Sequence, residues 1–262
     1  MPDLLYLCAI ARGSSGNAIL IYNETTTLLI DAGISAKRIC DGLALMGRSP
    51  SDLDGICVTH AHSDHISGLR VLLKKTDAPL YATDGTGQAL LRETPGAGER
   101  LREIRPGADF AVGDLGLSAF STPHDAEGSV GYCVTDGQRR CSVVTDLGFV
   151  TEEVRRGVLG SHLALVEANH DVDWLMSGPY PPYLKQRIRG DLGHLSNEDG
   201  GALCCDLAEH GAHTLILGHL SRQNNTPERA RQVVGHMLRA RGYDGVALEV
   251  ASHQVCSPAF EV

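Results

Sequence analysis

The stretch THAHSDH, residues 59–65, constrains this chain more than any other part of the sequence. It places three histidines and one aspartate within six positions, directly after the apolar segment Gly55–Val58, which is predicted to be a buried strand. Side chains beyond a strand end enter the crevice at the sheet edge, where α/β proteins usually bind ligands. Histidine and carboxylate donors without cysteine favour Zn²⁺, Mn²⁺ or Fe over a thiolate-rich structural zinc site.

The spacing within this motif points to two neighbouring metal positions. In an extended loop alternate side chains share a face, so His60 and His62 can reach one ion. Asp64 and His65 then turn toward a second centre. The alternative is a helix N-cap at Asp64 with surface histidines nearby. Four such residues at this spacing, directly after a strand, disfavour that alternative.

The same arrangement of an apolar strand followed by a potential ligand recurs three times. STPHD places His124 after the run Leu117–Phe120, SVVTD ends in Asp146, and LILGH ends in His219. A centre with two metals needs more ligands than the first motif supplies, and these positions provide them. The predicted metal ligands are His60, His62, Asp64, His65, His124, Asp146 and His219.

Strand-like and helix-like segments alternate along the chain. Apolar, β-rich runs include Phe110–Phe120 and Cys141–Thr145, while apolar residues at helical spacing occur in His65–Lys75 and Ser196–His210. Repeats, low-complexity segments and long linkers do not stand out. The pattern predicts a single α/β domain over residues 1–262, with sheets inside and helices outside.

The composition indicates a cytoplasmic protein without a membrane span. Hydrophobic residues make up 42% and charged residues 21% of the 262 positions, which is ordinary for a globular protein. The apolar runs are too short to cross a bilayer, and the N-terminus is interpreted as a strand, not a signal peptide. Most of the eight cysteines lie in apolar runs without a C-x-x-C motif, which fits free thiols in a reducing compartment.

The formal net charge of −9 argues against a broad surface that coats nucleic acid. It leaves room for a local site, because bound divalent cations add positive charge that formal counting omits.

Taken in order, THAHSDH, His124, Asp146 and His219 resemble the metallo-β-lactamase superfamily. The resemblance implies a four-layer αββα sandwich with two divalent metal ions, Zn or Mn with Fe as a further option, at one sheet edge. A water that bridges such metals becomes a hydroxide near neutral pH and attacks the substrate. By position, the first metal would be held by His60, His62 and His124, the second by Asp64, His65 and His219, and Asp146 would bridge them.

Further motifs resemble the YycJ (WalJ) group of single-domain metallo-β-lactamase nucleases. These are GSSGN at 13–17, HDAEGSVGY at 124–132, EANHD at 167–171, GPYPPYLKQRIRGDLGHLSNED at 178–199 and LGHLSRQNNTPE at 217–228. The resemblance implies a phosphodiesterase with a nucleic acid substrate, DNA favoured over RNA, and 5′-to-3′ exonuclease action. A small-molecule hydrolase, such as a cyclic phosphodiesterase or a lactonase, remains the alternative, and the acidic charge points toward it. A non-catalytic binding protein is disfavoured by the intact ligand set.

One segment is also similar to tRNA 3′-processing endonucleases, in which a glutamate and a histidine together protonate the leaving oxygen. The counterparts here are Glu167 and His194, although Asn169 replaces a threonine and an extra leucine follows His194. A histidine oriented by a carboxylate can act as a general acid. Glu167 could instead orient a metal-bound histidine. Asp64, Glu167 and His194 are the predicted catalytic residues.

Candidate substrate contacts come from three segments. GSSGN could form an anion-binding nest or a plain hairpin turn. The basic run LKQRIRG could track phosphates or be a solvated helix face. Residues after His219 could also touch a phosphate. The predicted contacts are Ser14, Ser15, Asn17, Lys185, Arg187, Ser221, Arg222 and Asn224. The sequence assigns no role to His170, and its donor set accommodates more than one metal.

Overall fold

The computed structural model describes residues 4–11, 16–251 and 255–262. Within these ranges the chain forms two seven-stranded sheets. In their order across the first sheet, the strands are β14 (Phe260–Glu261), β1 (Tyr6–Ala11), β2 (Ala18–Tyr22), β3 (Thr27–Ile30), β4 (Gly55–Cys57), β5 (Leu80–Ala82) and β6 (Leu101–Glu103). The second sheet has the order β13 (Ala247–Val250), β12 (Thr214–Gly218), β11 (Leu163–Glu167), β10 (Arg140–Val144), β9 (Val130–Thr135), β8 (Leu115–Ser121) and β7 (Asp109–Val112).

The sheets share an apolar core, and each also packs against a helical layer. In β1, Leu7 and Ala9 face the core between the sheets, whereas Cys8 and Ile10 face the outer layer. This is the two-residue period of a strand that is buried on both faces. The helices are α1 (Ala36–Leu45), α2 (Ser63–Ile66), α3 (Leu69–Leu72), α4 (Asp84–Glu93), α5 (Glu152–Val158), α6 (Val172–Ser177), α7 (Pro182–Arg189), α8 (Asn197–Glu209) and α9 (Pro227–Ala240).

The outer helices complete a four-layer αββα sandwich, which confirms the predicted fold class. Leu43 of α1 and Leu69 of α3 belong to the apolar cluster outside the first sheet. Val154 of α5, Leu203 of α8 and Val234 of α9 belong to the cluster outside the second. Among the described residues, no helix is both long and apolar enough to cross a membrane. All eight cysteines are free thiols.

Strand direction decides which loops meet. Strands β3 to β6 are parallel, and so are β10 to β13. Because β9 is antiparallel to both β8 and β10, β8 runs in the same direction as β10. The carboxyl ends of β8, β10, β11 and β12 therefore lie at one edge of the second sheet.

Two predicted elements are wrong in their bounds. The strand predicted over Phe110–Phe120 is the hairpin β7–β8, which turns at Gly113 with a φ of 59°. The helix predicted over His65–Lys75 is divided into α2 and α3. The break lies beside Gly68, where a Cβ atom would collide with the backbone oxygen of Ile34.

Candidate metal centre and active site

Strand ends bring the predicted ligands together. THAHSDH follows β4, His124 follows β8, Asp146 follows β10 and His219 follows β12. Parallel strands of one sheet deliver their carboxyl ends to the same edge, so residues far apart in sequence converge there. The structure therefore places all seven predicted metal ligands in one cluster.

The backbone at this edge adopts an uncommon conformation. Asp31, Asp146 and His219 have φ angles of 61°, 62° and 56°. Non-glycine residues enter this left-handed region at a cost of about 1–3 kcal/mol each, and such positions concentrate at functional sites. Each of the three directly follows, or nearly follows, a strand of the site. The geometry turns their side chains into the crevice at the expense of local backbone energy.

The first group of ligands consists of three histidine nitrogens. Nε2 of His60 lies 3.1 Å from Nδ1 of His62, which lies 3.3 Å from Nε2 of His124. All three atoms lie within 4.8 Å of one another, a spacing that suits coordination of one ion. These are the three residues that the sequence analysis predicts for the first metal, and their role as its ligands stays a prediction.

The second group combines a carboxylate with two imidazoles. Oδ2 of Asp64 lies 3.5 Å from Nε2 of His65 and 4.0 Å from Nε2 of His219. Asp146 lies between the two groups: its Oδ2 is 3.4 Å from Nε2 of His65, and its Oδ1 is 3.8 Å from Nε2 of His124. One carboxylate thus faces both groups, as a bridging ligand does.

Two buried atoms in this cluster indicate that the residues fit divalent cations. Oδ2 of Asp146 and Nδ1 of His219 make no hydrogen bond to any described residue. They lie 3.0 Å apart. A buried polar atom without a partner costs about 1–3 kcal/mol. Cations coordinated by the nitrogen and oxygen donors would remove this cost.

The electrostatics of the cluster favour metal-binding protonation states at two ligands. Burial, reinforced by His65, holds the pKa of His60 well below its ordinary value, so the imidazole is neutral. Burial by itself raises the pKa of Asp146, but His219 and His65 lower it well below its ordinary range. Burial also lowers the pKa of His65, yet Asp31 and Asp146 raise it well above the usual value. His65 would have to give up a proton to hold a metal ion through its imidazole.

Residues behind the predicted ligands fix the orientation of two imidazole rings. Oδ2 of Asp31 lies 2.8 Å from Nδ1 of His65, and Oδ1 of Asp31 accepts a 2.8 Å hydrogen bond from the Thr59 amide. Nδ1 of His124 lies 3.2 Å from the backbone oxygen of Gly193. These contacts hold each Nε2 toward the cluster. The sequence prediction missed Asp31, although its place directly after β3 follows the same strand-then-ligand pattern.

Glu167 and His194 form a hydrogen-bonded pair at the edge of the cluster. Oε1 of Glu167 lies 2.9 Å from Nδ1 of His194, and Oε2 accepts hydrogen bonds from the amides of Leu147 and Leu195 at 3.2 and 3.1 Å. Glu167 is fully buried. Burial alone lowers the pKa of His194, but the Glu167 carboxylate raises it to about 9. With both oxygens engaged, Glu167 is placed to orient His194.

The predicted substrate-binding residues lie in different parts of the structure. Asn17 is fully buried, and its Nδ2 lies 2.9 Å from Nε2 of His65, so it lies among the ligands. Ser221 and the buried Asn224 form a local turn in which the Asn224 amide donates to Oγ of Ser221 at 3.2 Å, and Arg222 is exposed beside them. Ser14 and Ser15 lie outside the described residues.

The basic helix α7 lies beside the centre. Nε and Nη2 of Arg187 both contact Oδ2 of Asp125, at 2.8 and 2.7 Å. Oδ1 of Asp125 is 3.4 Å from Nε2 of His124 and 3.7 Å from Nε2 of His62. Lys185 is turned away, and its Nζ donates to the backbone oxygen of Met176 at 2.7 Å. The sequence prediction missed Asp125, whose only signal was its position after His124.

The fold and this His/Asp cluster define a metallohydrolase of the metallo-β-lactamase type. The family model for the beta-lactamase superfamily domain matches residues 26–220. The chain is 38% identical to exodeoxyribonuclease WalJ of Streptococcus pneumoniae serotype 2 over 234 residues, covering 87% of this chain and 86% of the relative. It is 34% identical to exodeoxyribonuclease YycJ of Bacillus anthracis over 250 residues, covering 94% of each.

Solved structures agree with this assignment of the fold. The metallo-β-lactamase fold protein YhfI from Bacillus subtilis superposes with a TM-score of 0.74 at 18% identity, over 99% of this chain and 100% of that one. Zn²⁺-bound PqqB from Methylobacterium extorquens superposes with a TM-score of 0.71 at 16% identity, over 97% and 99% of the two chains. The chain belongs to the metallo-β-lactamase superfamily and, within it, resembles the WalJ and YycJ proteins.

Proposed function

We propose that the protein is a binuclear metal-dependent nuclease that degrades DNA from the 5′ end. The observation that carries the proposal is the Glu167–His194 pair beside two groups of metal-binding side chains. This arrangement joins sites for cations to a group that donates a proton, and phosphodiester cleavage needs both. The substrate and polarity rest on the likeness to the WalJ and YycJ exodeoxyribonucleases.

In the proposed cleavage of a phosphodiester bond, each residue of the site has its own role. Divalent ions, when bound, neutralise charge on the phosphate and activate a water for attack. His194 protonates the departing oxygen through Nε2, because Glu167 holds Nδ1. Asp64 acts as a ligand beside the reacting phosphate. Asp146 holds the two groups of ligands at a fixed spacing, since one of its oxygens faces each group.

The remaining assignments belong to the same proposal. The donor set suits two ions of Zn²⁺ or Mn²⁺, with Fe as a further option. Arg187 contacts a phosphate beside the centre, and Lys185, which points away from the centre, contacts a phosphate farther along the strand. We also propose a cytoplasmic location, because the eight free thiols fit a reducing compartment.

The test is a direct nuclease assay of the purified protein with Mn²⁺ or Zn²⁺. Single- and double-stranded DNA and RNA are labelled at the 3′ end in one set and at the 5′ end in another. We expect 3′-labelled DNA to give a ladder of shortened strands and 5′-labelled DNA to release labelled mononucleotide. Asp146→Ala should do neither. Cleavage of bis(p-nitrophenyl) phosphate or a cyclic phosphodiester alone would make the protein a small-molecule hydrolase.

A further inference from the structure

A cavity of about 470 Å³ opens between the end of α6 and helix α7. It is lined by Met176, Pro182, Lys185, Gln186 and Arg189. Its volume lies within the range of small-ligand sites. Met176, 48% exposed, and Pro182 give it an apolar floor.

The cations on its wall lack acidic partners. Nζ of Lys185 donates to the backbone oxygen of Met176, and Nη1 of Arg189 contacts Sδ of Met176 at 3.4 Å. Neither forms an ion pair with a carboxylate in residues 4–11, 16–251 and 255–262. On a chain with a net charge of −9, two such cations beside an apolar floor suit an anionic ligand with a flat apolar part. A nucleotide has this chemistry.

Helix geometry gives the distance of this cavity from the metal centre. Lys185 and Arg189 are four residues apart and share one face of α7, whereas Arg187 lies on the opposite face. Arg187 contacts Asp125, which adjoins His124. Helix α7 therefore stands between the centre and the cavity, and the separation is about one helix diameter, roughly 10–12 Å.

We infer that this cavity is an accessory subsite for a nucleotide of the same strand, about three positions from the scissile phosphate. The inference rests on the proposed nuclease function. A stacked strand rises about 3.4 Å per nucleotide, so about three nucleotides span the width of α7. The strand passes from the metal centre over Arg187 to Lys185 and Arg189. A substrate of two nucleotides is too short to reach the cavity.

The test compares substrates of increasing length. The double variant Lys185→Ala/Arg189→Ala and the wild type are assayed on single-stranded DNA of two, four and eight nucleotides. The matched control is Lys74→Ala/Lys75→Ala, which removes the same charge. These two exposed lysines line a cavity together with Ser51 and Leu53. Ser51 and Leu53 precede β4, so the lysines lie at the amino end of that strand, opposite the edge that carries the metal-binding cluster.

We expect the length dependence to change in the subsite variant alone. Its KM for the eight-nucleotide strand should rise about tenfold with little change in kcat, because two phosphate contacts are lost. The slope of log KM against log salt should fall by about 1.4, at roughly 0.7 per contact with a single strand. The ratio of kcat/KM for eight nucleotides to that for two should drop by the same tenfold factor.

Two results would overturn the inference. If the subsite variant lost the same factor at every length, or matched the control at every length, the cavity would hold no nucleotide of the strand. If the wild type cleaved only small phosphodiesters, the proposed nuclease function would be wrong, and the proposed subsite would be wrong with it. Circular dichroism of each variant guards against a loss of folding.

Discussion

Oε1 of Glu167 lies 2.9 Å from Nδ1 of His194, and the second oxygen of the same carboxylate accepts two backbone hydrogen bonds. The carboxylate is thereby immobilised before it meets the histidine. Nδ1 of the same ring lies 3.8 Å from Oδ1 of Asp146, so the histidine lies at the edge of the metal-binding cluster. In the proposed mechanism this pair donates the proton while other residues bind the metal, and the two roles can be measured separately.

Replacement of His194 by alanine should lower kcat on DNA by about 10²- to 10⁴-fold, the range for loss of a general acid. Metal content should remain unchanged, because His194 belongs to neither group of predicted ligands. Steady-state kinetics together with elemental analysis of metal content would test both points. The defect should be smaller on bis(p-nitrophenyl) phosphate, since p-nitrophenolate leaves without protonation. A full-rate His194→Ala enzyme on DNA would exclude the general-acid role.

Glu167→Gln should lower kcat by about 10- to 100-fold, because the carboxylate acts by orienting His194. The double variant Glu167→Gln/His194→Ala should be no slower than His194→Ala, since the glutamate has nothing left to orient. A double-mutant cycle on kcat measures this coupling. Additive losses would mean that Glu167 acts independently of His194.

Asp31→Asn should weaken metal binding by about 10- to 100-fold, because Asp31 fixes the ring of the predicted ligand His65. Titration of the metal-loaded protein with a competing chelator measures this. Asp41→Asn is the matched control, since Asp41 is an exposed partner of Lys37 on α1. Equal metal retention by the two variants would argue against an orienting role for Asp31.

His170 should make the stability of the protein fall in mild acid. Burial lowers its pKa from the ordinary 6.5 to about 4, and its Nδ1 has no hydrogen-bond partner among the described residues. Between these values the unfolded chain binds a proton that the folded chain does not. The contribution is therefore intact above pH 6.5 and is lost progressively toward pH 4, by roughly 2 kcal/mol between pH 7 and pH 5.

Urea unfolding of His170→Asn at pH 7 and pH 5 tests this prediction. The variant should lose about 2 kcal/mol less than the wild type over that interval. His210→Asn, at an exposed position on the C-terminal end of α8, serves as the control. An identical pH dependence in wild type and His170→Asn would show that His170 is protonated as readily in the folded as in the unfolded chain.

Tyr132→Phe should reduce the free energy of unfolding by about 1–2 kcal/mol. The buried hydroxyl of Tyr132, on β9, donates a 2.9 Å hydrogen bond to the backbone oxygen of Val58, directly after β4. It therefore joins the two sheets beside the ligand loop. Chemical denaturation against Tyr183→Phe, which changes an exposed tyrosine, gives the comparison. A value within error of that control would show that the hydrogen bond adds no net stability.

The resemblance to the metallo-β-lactamase superfamily predicted the sandwich, and local signals in the sequence selected the residues that the fold brings together as a candidate cluster. His124, Asp146 and His219 each follow an apolar run, and parallel strands bring such positions together. Asp31 and Asp125 carry weaker signals. A single aspartate after a strand is a common N-cap or turn residue, and only its contact with a ligand identifies it.

The errors in the predicted elements arise from contacts that a local pattern does not contain. The helix predicted over His65–Lys75 has a continuous apolar spacing, but the close approach of Gly68 to Ile34 divides it. Tertiary contacts likewise determine where the side chains of Lys185 and Arg187 point. Both lie in one basic run, yet only Arg187 meets Asp125.

The left-handed backbone at Asp31, Asp146 and His219 has a consequence for how related proteins can lose their activity during evolution. Glycine adopts this conformation without penalty, so Asp146→Gly would relax the chain at the position where it removes a ligand. Without metal, that variant should melt at a higher temperature than Asp146→Ala. A glycine that removes a catalytic side chain at these positions should thus destabilise the fold less than an alanine does. We expect descendants that abandon the chemistry to accumulate glycine there while they keep the sandwich.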